Sequence, residues 1–361
     1  MRKTLAAAVA ALALLSPFAS ASPAAATASN NGHRGSQRVT QIPISFEVRN
    51  VNRSKVACAS DGATYTVRGH LVAPSRGLRA RRQPATTLYL HGLSFGEFFW
   101  NFQQAQDYNY AVDEARLGHS SVVIDRIGYN SSDKPNGFQV CVGSRADMAH
   151  QMVLALRSGK YHLDGRAAPQ FRKVALAGHS YGGQIAQVEA YSFGDIDGLV
   201  VMGYSDRVQS DLLKQNAAYA ADVCATGGLR VGATGPAGYA PFGPPEGAPA
   251  ALFATAEPSV ESAAVQQLTI DPCGDTAYFN QAVDVDLANL ASVTVPVLVV
   301  AGSSDALFPP PAVPDQAALF TGSPRVEQTT LPGIAHAIAL ERIYELGDIS
   351  PLAKWLRTQT K

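Results

Sequence analysis

Residues 178–182 read G-H-S-Y-G, and they restrict the fold of this chain more than any other feature of the sequence. They follow an apolar run at 173–177 that predicts a strand, and they precede a helix-like segment at 184–192. A bare G-x-S-x-G pattern arises easily by chance, so its position is what carries information. A sharp turn from strand to helix exposes a serine as a nucleophile, and flanking glycines let the neighbouring backbone approach closely. Ser180 is therefore the candidate nucleophile.

A serine hydroxyl needs a histidine to take its proton and a carboxylate to orient that histidine. Asp305 and His336 each follow a predicted strand near the end of the chain. Ligand sites in open parallel sheets lie beyond the carboxyl ends of the strands, where both residues are expected. The sequence thus favours Asp305 as the acid and His336 as the base. Asp206, which follows another predicted strand, remains an alternative acid.

Eight short apolar or β-branched runs predict strands. Several of them lack alternation, as in strands buried on both faces of a parallel sheet. Helix-like segments at 145–157, 184–192 and 349–357 alternate with these runs, which predicts an α/β fold. The eight runs lie at 42–48, 63–72, 86–90, 121–125, 173–177, 198–201, 295–300 and 326–330.

Residues 206–290 interrupt this alternation. The stretch 227–249 is rich in Gly, Pro and Ala, and no strand-like run occurs before 295. We predict that 206–290 form a cap or lid insertion, and that 41–205 and 291–361 form the α/β core.

The beginning of the sequence has the layout of a secretory signal peptide. A positive start precedes an apolar run at 5–15, and a small-x-small site follows at 19–21. The run is too short for a membrane-spanning helix, which needs about 20 residues. We predict a signal peptide at 1–21, a disordered mature N-terminus at 22–40, a secreted or otherwise exported protein, and no membrane span.

In an exported protein the four cysteines are expected to form disulfides, because an oxidising compartment favours them. Several pairings are open, and the sequence favours Cys58 with Cys141 and Cys224 with Cys273, since the second pair brackets the Gly/Pro-rich stretch. No C-x-x-C spacing and no histidine cluster accompanies them, so the sequence gives no sign of a zinc site.

The charge balance argues against a nucleic-acid partner. The chain carries 29 Lys+Arg against 29 Asp+Glu, for a formal net charge of +0. Such a chain has no general field that attracts a polyanion. The oligomeric state stays open.

The serine, acid and histidine occur in the Ser…Asp…His order of one fold family, and two further segments point to the same family. Residues 91–93 read H-G-L, and residues 125–135 read D-R-I-G-Y-N-S-S-D-K-P. With Ser180 in its turn, these segments resemble the H-G-x turn and the D-x-x-G-x-G-x-S-D-K-P segment of the α/β-hydrolase-fold serine hydrolases. The chain departs at Asn130, where glycine is usual, but Asn tolerates a left-handed backbone.

The resemblance implies a mostly parallel central sheet flanked by helices, with a cap insertion. It also implies an oxyanion hole formed by the backbone N–H groups of Leu93 and Tyr181. Asp125 and His91 are expected to shape the oxyanion turn rather than to transfer protons.

A serine at position 180 excludes the carboxylate nucleophile of the family's epoxide hydrolases and dehalogenases. We predict a secreted carboxylic-ester hydrolase that acts through an acyl-enzyme on a small-molecule ester or acyl substrate, with no metal and no organic cofactor. The alternatives are an amide or peptide hydrolase, an acyl hydrolase that tailors a natural product, and a catalytically silent, hydrolase-like binding protein.

Overall fold

The computed structural model describes residues 38–76, 78, 80–343 and 355–356. The predicted signal peptide at 1–21 lies outside these residues, as do most of 22–40 and nearly all of the helix predicted at 349–357. The core begins before its predicted boundary at 41. Val39 and Thr40 already belong to a strand, because they pair with Pro74 and Ala73.

Eleven strands and nine α-helices occur in the described part of the chain. The strands are β1 (Val39–Arg49), β2 (Thr64–Pro74), β3 (Arg82–Leu90), β4 (Ser121–Asp125), β5 (His162–Leu163), β6 (Gln170–His179), β7 (Gly198–Met202), β8 (Tyr239–Ala240), β9 (Asp271–Pro272), β10 (Val297–Gly302) and β11 (Val326–Leu331). The helices are α1 (Tyr110–Arg116), α2 (Val142–Ser158), α3 (Tyr181–Ser192), α4 (Asp211–Ala225), α5 (Ala248–Leu252), α6 (Pro258–Val265), α7 (Cys273–Ala277), α8 (Phe279–Asn289) and α9 (Ala312–Ala317). Over these ranges, no helix combines the length and the apolar character that a membrane span requires.

The central sheet has nine strands in the order β11-β10-β7-β6-β3-β4-β2-β1-β5. The six strands from β11 to β4 are parallel to their neighbours, whereas β2, β1 and β5 pair antiparallel at one side. All eight predicted strands are present, and the predicted α/β class is confirmed. The two-residue strands β5, β8 and β9 were not predicted.

Alternating residues of the strands pack in two hydrophobic layers, one on each face of the sheet. Leu88 and Leu90 of β3 pack in the layer that contains Ile185 of α3. Tyr89, between them, packs in the opposite layer with Tyr110 of α1. Helices therefore cover both faces, as the apolar runs without alternation predict.

The register brings four loops to one edge of the sheet. β3 and β6 are parallel neighbours with Leu90 opposite Gly178, and β10 and β11 are parallel neighbours with Gly302 opposite Leu331. The loops that leave these strands at their carboxyl ends consequently lie side by side. Their residues include Leu93, Ser180, Asp305 and His336.

Residues 203–296, called here the insert segment, connect β7 to β10. They contain α4 to α8 and a separate two-stranded sheet of β8 and β9. The sequence predicts no strand in this region, and the pair of β8 and β9 shows that this expectation is wrong. The strands were missed because two residues per strand leave no periodicity to detect. A disulfide between Cys224 and Cys273 joins the end of α4 to the start of α7. A second one joins Cys58 to Cys141, so the structure has the pairing that the sequence favours.

Candidate active site

Ser180 lies at the turn from β6 to α3 with a backbone φ of +52°. Such a left-handed conformation is strained for a residue with a side chain. The turn is so tight that a Cβ on Gly178 would lie 1.9 Å from the carbonyl oxygen of Gly182, and one on Gly182 would lie 2.3 Å from that of Leu90. Both glycines are therefore required by close backbone contacts. Ser180 directly follows the carboxyl end of β6 and is the N-cap residue of α3.

Asp305 and His336 meet beyond the ends of β10 and β11. The Nδ1 of His336 lies 2.8 Å from Oδ2 of Asp305, and both side chains are buried. Oδ1 of Asp305 accepts hydrogen bonds of 2.9 Å from the backbone N–H groups of Leu307 and Phe308. The carboxylate is thus held in place while it orients the imidazole, which leaves Nε2 of His336 for a proton transfer.

Asp206, the alternative acid, is engaged elsewhere. Its carboxylate accepts hydrogen bonds from Tyr204, Gln187 and Gln316 at 2.8 to 2.9 Å. Desolvation by burial raises the pKa of Asp206, which also lies beside Asp286. The geometry therefore places Asp305, not Asp206, at the ring of His336.

Ser180 and His336 line one cavity of about 50 Å³ together with Leu93. The insert segment supplies the facing wall. It contributes one polar and four apolar side chains, namely Asn216, Phe242, Ala251, Leu252 and Leu268. A volume of this size holds a few water molecules or a short acyl group.

The two N–H groups expected to form an oxyanion hole belong to Leu93 and Tyr181. Tyr181 is the first residue of α3, where a helix carries partial positive charge. Among the described residues, neither N–H is paired with an acceptor. Both N–H groups can therefore donate a hydrogen bond to a ligand oxygen.

The insert segment reaches back to hold the oxyanion turn through Asp271. Ser94, next to Leu93, has a φ of +63°. Its N–H and hydroxyl donate to the two oxygens of Asp271 at 2.5 and 2.9 Å, and the Tyr129 hydroxyl donates at 2.8 Å. Burial raises the pKa of Asp271 to about 6. No sequence signal could have identified this carboxylate, which is 177 positions from Ser94.

A buried ion-pair network lies behind the same turn. Arg145 of α2 binds Asp275 of α7 through two hydrogen bonds of 2.6 and 2.8 Å. Arg126 lies 3.7 Å from Asp275 and donates to the carbonyl oxygen of Gly92 at 3.0 Å. The Tyr181 hydroxyl also donates to Asp275, at 3.2 Å. These contacts join both sides of the expected oxyanion hole to the insert segment, and sequence reasoning missed them.

Two buried histidines hold the backbone around the site. His179 donates from Nε2 to the carbonyl oxygen of His336 at 2.8 Å, and its ring stacks on Phe99 at 4.1 Å. His91 accepts the N–H of Arg126 at 3.1 Å. Burial lowers the pKa of both rings well below the usual value, with further lowering by His336 for His179 and by Arg126 for His91. Burial thus favours the neutral form of both rings, and their hydrogen bonds hold the backbone around the site.

The segment at 125–135 has the structural role expected for it. Asp125 accepts hydrogen bonds from the N–H of Glu97 at 2.7 Å and from the hydroxyl of Ser131 at 2.6 Å. Asn130 has a φ of +29°, which is the left-handed backbone expected where glycine is usual.

A family model described as the alpha/beta hydrolase family matches residues 88–343. Several solved structures share the fold. An esterase from Thermogutta terrifontis has a TM-score of 0.60 at 18% identity, covering 88% of this chain and 100% of its own. A monoacylglycerol lipase from Paleococcus ferrophilus has a TM-score of 0.53 at 16% identity, covering 76% and 94%. A 2-hydroxy-6-oxo-6-phenylhexa-2,4-dienoate hydrolase from a Rhodococcus species has a TM-score of 0.54 at 15% identity, covering 88% and 99%. No curated protein matches the chain by sequence.

Proposed function

Because the chain belongs to the α/β hydrolase family, we propose that it is a secreted serine hydrolase that cleaves carboxylic esters through an acyl-enzyme. The observation that carries this proposal is the arrangement of Ser180, His336 and Asp305. The 2.8 Å bond from Asp305 orients the ring of His336, and that histidine lines the same cavity as the strained Ser180.

In the proposed mechanism, Oγ of Ser180 attacks the acyl carbon and its proton passes to Nε2 of His336. The carbonyl oxygen becomes an oxyanion that accepts hydrogen bonds from the N–H groups of Leu93 and Tyr181. The C–O bond of the ester breaks, and His336 returns the proton to the departing alcohol. Water then attacks the acyl-enzyme by the same route, which releases the acid and regenerates Ser180.

The cavity supports a short acyl group. Its volume is about 50 Å³, and the insert segment covers it with largely apolar side chains. We propose that residues 206–290 act as the cap of this site and limit the length of the acyl chain. The predicted leader at 1–21 and two disulfides support an exported protein, since oxidising compartments preserve such bonds.

The test is labelling of the purified protein with a fluorophosphonate, which only an activated serine attacks quickly. We expect covalent modification of Ser180, and Ser180→Ala should abolish both labelling and turnover. Ser262→Ala removes an exposed hydroxyl from α6 and serves as the matched control that keeps both. Full esterase activity in Ser180→Ala would contradict the assignment.

The substrate class is tested by comparing kcat/KM for nitrophenyl esters of graded chain length with kcat/KM for aminoacyl anilides. We expect acetyl and propionyl esters to give the highest kcat/KM. Faster cleavage of the anilides would identify an amide hydrolase instead, and absence of both labelling and turnover in the folded protein would contradict the proposed hydrolase.

A further inference from the structure

A second cluster of ionisable side chains lies between α2 and α3, apart from the cavity at Ser180. It consists of His150 in α2, Glu189 near the end of α3, and Asp195 in the turn that follows. One nitrogen or oxygen atom from each residue lies within 4.8 Å of the others. Nδ1 of His150 is 2.9 Å from Oδ2 of Asp195.

Glu189 is the unusual member of this cluster. Its side chain is fully buried, and neither carboxylate oxygen receives a hydrogen bond from an N–H or O–H group among the residues that the structure describes; instead it lies against the carboxyl group of Asp195. A buried carboxylate without partners is costly, so such groups are normally paired or bound to a cation.

The nearby cation does not satisfy this carboxylate. Arg157 directs its guanidinium to the carboxylate of Asp197 and to the carbonyl oxygen of Asp195, both at 2.6 Å. It attracts Glu189 only at a distance. A ligand that carries positive charge and accepts electron pairs from a nitrogen and two carboxylates matches the donor atoms that these three side chains bring together.

We propose that His150, Glu189 and Asp195 bind one Zn²⁺ ion. One imidazole nitrogen and two carboxylates are ligands that zinc takes in proteins, with water in the fourth position. The ring of His150 stacks on Phe193 at 4.2 Å, which fixes the direction of its nitrogen. The side chains of His150 and Asp195 are 16% and 22% exposed, so the ion can enter from solvent.

The site is separate from the cavity at Ser180 in this proposal. Ser180 caps the N-terminus of α3, whereas Glu189 lies in its last turn, about 14 Å along the helix at ~1.5 Å per residue. Zinc at this place joins α2, α3 and the following turn. No spacing motif reveals it in the sequence, because the three ligands come from two helices and a turn.

The experiment uses the full chain after treatment with a chelator, titrated calorimetrically with ZnCl₂ alone. We expect one zinc per chain and a rise in Tm of about 5 °C at a zinc concentration a hundredfold above Kd. Glu189→Gln keeps the shape of the side chain, and His150→Phe keeps the stacked ring. Both should lose the zinc-dependent rise in Tm, while circular dichroism spectra like that of the metal-free wild type show that the variants fold.

His162→Phe removes a single exposed histidine and is the matched control, which should bind zinc like the wild type. Equal zinc binding by Glu189→Gln and the wild type would overturn the proposal. A wild type that binds no zinc would also overturn it, and a Glu189→Gln variant more stable than that wild type would indicate that the two carboxyl groups share a proton. If Glu189→Gln does not fold, the result for His150→Phe decides.

Discussion

Asp305 uses both carboxylate oxygens, one on His336 and the other on two backbone N–H groups. This division fixes the direction of the carboxylate independently of the histidine. In the proposed mechanism, an aspartate held in this way keeps the imidazole in the tautomer whose Nε2 accepts the proton of Ser180, and it stabilises the imidazolium that forms during attack. The sequence leaves two candidate acids open, and these three hydrogen bonds place Asp305 at His336, which favours it as the acid of the proposed mechanism.

We expect Asp305→Asn to lower kcat/KM for an acetyl ester by about 10⁴-fold with the fold intact, because an amide neither stabilises an imidazolium nor enforces the tautomer. Asp206→Asn is the matched control, since Asp206 bonds Tyr204, Gln187 and Gln316. Steady-state kinetics and circular dichroism of both variants provide the measurement. A larger loss in Asp206→Asn would assign the acid to that residue.

At the scale of elements, the strands of the parallel sheet were predictable because buried runs such as Leu199 to Val201 are continuously apolar. The position of Ser180 was predictable because it lies in a local turn that directly follows one of these apolar strands. The short strands β8 and β9 were not predictable, because their pairing depends on the packing of the insert segment and not on their own residues.

The contact between β9 and the oxyanion turn predicts a dependence of stability on pH. Burial raises the pKa of Asp271 from 3.8 to about 6 in the folded protein. A carboxyl group with a raised folded-state pKa contributes stability below its unfolded pKa, and that contribution is lost as pH rises through about 6. A shift of this size corresponds to about 3 kcal/mol. The contribution should be lost between about pH 4 and pH 7.

Urea unfolding at a series of pH values from 4.5 to 7.5 measures this effect. Asp271→Asn should flatten the fall in the free energy of unfolding with pH, because the amide does not titrate. Asp133→Asn is the control. Burial alone would raise the pKa of Asp133, but hydrogen bonds from Arg68 and Thr66 hold it below its usual value. The contribution of Asp133 to stability is lost only at lower pH. Asp133→Asn should therefore leave the slope of the free energy of unfolding against pH unchanged between pH 4.5 and 7.5. Equal slopes in the wild type and Asp271→Asn would contradict the prediction.

At the scale of the whole molecule, the site is built from the edge of the sheet and from the insert segment. The residues of the first part can be predicted from the sequence, and those of the second cannot. The sheet edge supplies Ser180 and His336 from local motifs that can be read residue by residue. The insert segment supplies Asp271 and Asp275, whose partners Ser94 and Arg145 are 177 and 130 positions away. Contacts over such distances leave no local pattern, so the sequence indicates the candidate residues at the sheet edge but not the contacts from the insert segment that hold them.

The disulfide between Cys224 and Cys273 closes a segment with a sequence separation of 49 residues that includes most of the residues covering the cavity. In the chain-entropy model, a loop of this length lowers the entropy of the unfolded state by the equivalent of about 4 kcal/mol. The double variant Cys224→Ser with Cys273→Ser should therefore loosen the insert segment first. We expect KM to change more for bulky esters than for acetyl esters, because the mobile wall borders the acyl group.

The matched control is Cys58→Ser with Cys141→Ser, which opens the other disulfide, at the start of α2. Neither of its cysteines lines the cavity. This variant should lose thermal stability and keep the ratio of kcat/KM between long and short esters, whereas the Cys224 and Cys273 variant should change that ratio. Non-reducing peptide mapping of the wild type checks the premise. Recovery of Cys224 joined to Cys58 or Cys141, or the same ratio in both double variants, would show that this disulfide does not control access to Ser180.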